Sequence, residues 1–76
     1  SEIILTSPDL ILKDEKNINT VFMIKHIEQT NLNVIIKLAV GEDEIHPKNS
    51  VMSAYRIRDK NVKKLEKKNK TLYKKE

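Results

Sequence analysis

Val51-Met52-Ser53-Ala54-Tyr55-Arg56-Ile57-Arg58 leads straight into Asp59-Lys60-Asn61-Val62-Lys63-Lys64-Leu65-Glu66-Lys67-Lys68, and the reading of this junction decides the fold. The first stretch alternates in the manner of a half-buried strand. In the second, Asp59 is placed to cap a short helix running from Lys60 to about Lys68. Val62 and Leu65 give that helix only a thin apolar stripe, which puts it at the edge of a core with its other positions turned to solvent or ligand. Thr71-Leu72-Tyr73 then reads as a closing strand.

Upstream of the junction the apolar residues again fall into strand-length runs. Ser7-Pro8-Asp9 breaks the chain, because proline disfavours helix at the residue before it. Glu2 to Thr6 is short and compatible with the last turn of a helix entering from upstream. Leu10 to Lys13 is a short strand, and a polar turn follows from Asp14 to Asn19. Thr20 to Ile27 is rich in β-branched and aromatic residues and forms the second strand; Glu28 to Asn31 turns the chain. Asn33 to Val40 is the third strand, with Leu32, Val34, Ile36, Leu38 and Val40 on one face. Gly41, the sole glycine, opens an acidic loop that runs through His46-Pro47 to Asn49. Strands spaced by three to ten residues, with no long helical pattern between them, imply an antiparallel meander. The expected fold is therefore α+β: a four- to five-stranded antiparallel sheet, a short basic helix near the C-terminus, and the end of an N-terminal helix as a further element. One face of the sheet is expected to lie under a helix.

The composition bounds the function. A chain of 76 residues makes one small domain, 1–76, of marginal stability. Because it begins at Ser1 rather than Met, it reads as the C-terminal part of a longer protein, with targeting information upstream. Without cysteine there is neither a disulfide nor a thiolate metal site. No apolar run approaches the roughly 18 residues of a membrane span. A single glycine excludes a phosphate-binding glycine loop, and the histidines, twenty positions apart, make no metal signature. Neither a metal nor a cofactor is expected.

Charge is divided unevenly. From Arg56 onward the net charge is +7, whereas residues 1–55 carry −3. A basic end on a mildly acidic body is an electrostatic footprint for a polyanion, of which nucleic acid is the commonest; the alternative is a solvated helix face and a soluble tail. On the nucleic-acid reading, Arg58, Lys60, Lys63, Lys64 and Lys67 hold phosphates.

Three positions carry residue types suited to RNA chemistry. Ser53 and Tyr55 share one strand face and Arg56 lies on the other. A hydroxyl can donate to a phosphate, an aromatic can stack or supply a phenolic proton, and a guanidinium can neutralise a phosphorane-like transition state. Equally, Val51, Tyr55 and Ile57 can pack inward with Ser53 filling a tight spot. His26, on the face of Thr20, Phe22 and Ile24, is either a general acid or base or a strand-end residue at the solvent boundary. His46 is a turn residue or a loop-borne catalytic group.

The order of the segments Ser7–Ile11, Asn19–Lys25, Val34–Leu38, Asn49–Ile57 and Leu72–Lys74 resembles small phage-associated and polymorphic-toxin nucleases of the barnase–EndoU–colicin–RelE superfamily. The resemblance covers nearly the whole chain as a pattern of strand runs. It implies metal-independent endoribonuclease activity, often on tRNA, with an immunity or antitoxin protein as partner. The site of action would be the cytoplasm of the producing or target cell, reached through delivery by upstream sequence. Colicin D-like members use a Ser/Thr-x-aromatic pair on a late strand, which Ser53 and Tyr55 match, and an earlier histidine and lysine, for which His26 and Lys25 are the candidates. A non-catalytic nucleic-acid-binding module, or a structural domain of a phage or secreted protein, fits the same sequence as an alternative.

Overall fold

In a computed structural model of the protein, the structure describes residues 7–40 and 49–76. The elements follow in the order β1 (Leu10–Lys13), β2 (Thr20–His26), β3 (Leu32–Val40), β4 (Asn49–Arg58), α1 (Asp59–Lys68) and β5 (Lys70–Lys74). The expectations for Glu2 to Thr6, the acidic loop and His46 lie outside the described residues. Every predicted strand is present: β1 has the expected bounds, and those of the other four differ by one or two residues.

The five strands form one antiparallel sheet in the order β4-β3-β2-β1-β5. The first four strands are a meander. The chain then leaves one edge, crosses a face of the sheet as α1, and adds β5 to the opposite edge beside β1. Two tight connections place non-glycine residues in the left-handed region, Asn19 at φ 56° and Gln29 at φ 63°. Asparagine tolerates that conformation better than most residues; glutamine at the second turn carries strain of order 1 kcal/mol.

Alternation assigns each side chain to a face. Leu10, Leu12, Phe22, Ile24 and Ile35 form the buried cluster, and Ile57 of β4 with Val62 and Leu65 of α1 pack against it. Leu12 and Ile35 are fully buried and Ile24 is 1% exposed. Of the five residues proposed to share one face of β3, Leu32, Val34, Ile36 and Leu38 do so, but theirs is the face turned away from α1. Ile36 on that side is 2% exposed, so the middle of β3 is buried on both sides.

β4 contains an irregularity where Lys37 pairs with Ser53 but Leu38 pairs with Val51, which leaves Met52 as an extra residue. A bulge of this kind shifts the alternation by one position. Tyr55 is 47% exposed rather than packed inward, because α1 crosses the sheet diagonally from the Arg58 end and leaves this part of β4 uncovered.

The helix begins one residue earlier than expected, and its start differs in chemistry. Arg58 occupies the capping position with extended backbone and no side-chain cap bond, while Asp59 is the first helical residue. Its carboxylate accepts instead from the Asn33 side-chain amide at 2.8 Å. The far end is closed by Asn69, whose backbone N–H and side-chain amide both donate to the Leu65 carbonyl. With no fully buried residue, α1 adheres through Val62 and Leu65 and through its two tethered ends. Leu65→Ala is therefore expected to cost about 1–2 kcal/mol, part of the value of a fully buried leucine. Hydrogen exchange would show faster opening of α1 while β1–β3 amides stay protected.

Candidate nucleic-acid interface

α1 turns its stripe inward and its lysines outward. Lys60, Lys63, Lys64, Lys67 and Lys68 are all exposed, and Arg58 is exposed at the end of β4. Lys60 and Lys64, Lys63 and Lys67, and Lys64 and Lys68 are each four residues apart and so adjacent along the helix surface. Three like-charge pairs of this spacing destabilise the isolated helix by roughly 0.2–0.5 kcal/mol each. Only Lys67 and Lys68 are repaid in part by the negative end of the helix dipole. Glu66, the one acid beyond the first turn, faces β5 instead and binds the Lys74 ammonium at 3.0 Å. The outward face is thus almost purely cationic; of the β5 lysines, Lys74 lies on the α1 side, whereas Lys70 shares a row with Lys13 on the other face of the sheet.

The proposed catalytic residues are spread over both faces of the sheet. His26, Ser53 and Tyr55 lie on the α1 side; Lys25 and Arg56 lie on the other, flanking Val34 in one cross-strand row. Within the α1 side, His26 shares a row with Asn33 and Ile57, whereas Ser53 shares one with Phe22 and Lys37. Two strand spacings and four residues of rise put the Cα atoms of His26 and Ser53 roughly 16 Å apart. The His26 imidazole points at Asp59, with Nε2 3.6 Å from the carboxylate. Its backbone N–H donates to the Asp9 carboxylate at 2.7 Å. Lys25 reaches the Ser7 carbonyl at 2.8 Å. His26, Asn33 and Asp59 therefore form a cluster that fastens the start of α1 to the sheet. Ser53 and Tyr55 are close to each other and remote from that cluster.

A second polar centre had not been singled out from the sequence. Asp14, 4% exposed, accepts from the backbone N–H groups of Lys16 and Asn17 and from the Asn17 side-chain amide at 2.8 Å. Lys37 lies 3.5 Å from the same carboxylate, and its ammonium stands 5.9 Å from the centre of the Phe22 ring. Burial pushes the Asp14 carboxyl up, but the Asn17 amide, the two backbone donors and the Lys37 charge together outweigh it and hold the group below its ordinary value of 3.8. The signals were present in the sequence: Asp14 stands three before Asn17 in a polar turn, and Lys37 interrupts an apolar strand at a core-facing position. Asn69 ties this centre to the helix by accepting from the Glu15 N–H at 3.0 Å.

No helix among the described residues is long and apolar enough to cross a membrane. No protein-family model, curated protein or solved structure matches the chain significantly.

Proposed function

We propose that this chain is a nucleic-acid-binding module that grips RNA phosphates along the outer face of α1. The observation that carries this reading is the run of lysines at helical spacing, which holds three mutually repelling pairs on an exposed surface. A helix selected only for solubility gains stability by interleaving glutamates, whereas a polyanion relieves the repulsion and releases counterions from its own phosphates. RNA is the polymer that the resemblance to toxin nucleases implies.

Ribonuclease activity is the second reading, favoured by the Ser53–Tyr55 pair on one face with the phenol exposed. The distance of His26 from that pair and its engagement with Asp59 favour binding without cleavage. Incubating the protein with total tRNA in EDTA separates the two. Retention of tRNA in a shifted complex, with no discrete fragments, is the expected result. Discrete fragments that disappear in Ser53→Ala, Tyr55→Phe or His26→Ala, with binding retained, would replace the module with a nuclease, since a positioned acid or base supplies about 10²–10⁴-fold. Failure to retain any RNA at low salt would remove both.

A further inference from the structure

A cavity of about 500 Å³ opens beneath the C-terminal end of α1, between the helix and the turn that joins β1 to β2. Its volume lies within the range of small-ligand sites. Phe22 and Leu65 supply an apolar floor, and the side chains of Lys16, Lys37 and Lys68 supply three cations. The two acids at its wall are engaged: Asp14 by the bonds described above, and Glu15 by the Lys70 N–H at 3.4 Å. Lys37 is fixed from two sides, by the Asp14 carboxylate and by the Phe22 ring. It is an oriented donor at the bottom of a largely apolar recess.

We infer that this cavity is a subsite for one nucleotide unit, its base lodged against Leu65 and the edge of Phe22 and its phosphate held by Lys16 and Lys68. An apolar recess alone would take any flat hydrophobic group. The ammonium of Lys37 at its floor selects a flat group bearing an acceptor on its edge, as every nucleobase does. The two outer lysines select an anion attached to that group. The inference rests on the RNA-binding reading and adds geometry to it, because Lys68 belongs both to the cavity and to the lysine row of α1. Lys68, Lys64 and Lys60 follow one another at about 6 Å intervals along the helix. A strand with one base in the cavity can continue with its next phosphates along that row. The interaction is then more than a charge contact, since one base per site is desolvated against an apolar floor.

Titrating the intact chain with a nucleoside 5′-monophosphate, while following backbone amide shifts, tests the subsite directly. Saturable shifts are expected at Asn17, Phe22, Lys37, Leu65 and Asn69, with the uncharged nucleoside and inorganic phosphate each binding more weakly. The double substitution Lys16→Gln/Lys68→Gln should weaken the mononucleotide by roughly tenfold, because it removes both charge-assisted contacts to the phosphate. Lys13→Gln, which removes one charge on the opposite face of the sheet, should leave it unchanged. Both variants alter exposed side chains, so an unchanged spectrum without ligand certifies their fold. If RNA binds and moves only the outer lysines of α1, with the cavity amides still, the subsite is overturned and the RNA-binding reading survives. If the mononucleotide saturates the cavity but no RNA binds, the subsite stands and the RNA-binding reading falls.

Discussion

Replacing Asp14 with alanine is expected to lower the unfolding free energy by roughly 2–4 kcal/mol, because it removes a buried acceptor and leaves its partners without one. Three donors from Lys16 and Asn17 converge on this carboxylate, and the Lys37 ammonium, itself mostly buried, loses its counter-charge. In a domain of this size each kcal/mol moves the midpoint by about 4–8 °C, so the loss would read as a drop of roughly 10–25 °C in thermal unfolding. Asp14→Asn should cost less, since the amide keeps one acceptor and the shape of the turn. The two variants also differ from the parent in their dependence on pH. The Asp14 carboxyl is held below 3.8 in the folded state, so its contribution is complete above that value and is lost as pH falls through the depressed one. The parent should therefore lose stability below about pH 4 by an amount that Asp14→Asn lacks. Parallel acid profiles for the two proteins would dismiss the carboxylate as an organiser of the β1–β2 turn.

The second large effect concerns binding. If the lysines of α1 contact phosphates, then Lys63→Gln, Lys64→Gln and Lys67→Gln together remove three contacts. With a slope of about −0.7 per phosphate for single strands, the salt dependence flattens by about 2 units and affinity near 0.1 M salt falls roughly a hundredfold. An unchanged slope would return these lysines to a solvated face. Lys64→Glu makes a sharper comparison. It abolishes two of the three like-charge pairs on α1 and replaces them with attractive ones to Lys60 and Lys68, so the free protein should gain roughly 0.5–1.5 kcal/mol. RNA affinity should fall at the same time. Stability rising while binding drops is the behaviour of a surface that carries repulsion for a partner. A variant that binds RNA as well as the parent, at any stability, contradicts that account.

What was legible in the chain followed from local physics. The β-branched runs from Thr20 and Asn33 could scarcely be anything but strands, and the alternation of His26 and Lys25 between two faces follows from the pleat alone. The exposure of the α1 lysines was equally legible, since Val62 and Leu65 leave a ten-residue helix only one side to bury. The candidate site was less so. Spacing along β4 placed Ser53 and Tyr55 on one face correctly, but strand spacing carries no information about what crosses above them. The diagonal path of α1 is what leaves Tyr55 uncovered, and it depends on where β5 attaches.

Composition, alternation and charge thus determined on their own that this is an α+β domain with a cationic helix, because each is read within a few residues. Only the tertiary structure decided that His26 would meet Asp59 instead of Ser53, that Asp14 would hold Lys37 across 23 positions, and that a cavity would open beside them. Those three outcomes rest on strand order and on the helix crossing, where residues far apart in the chain are brought together by the burial of Leu12, Ile24 and Ile35 rather than by any preference of their own.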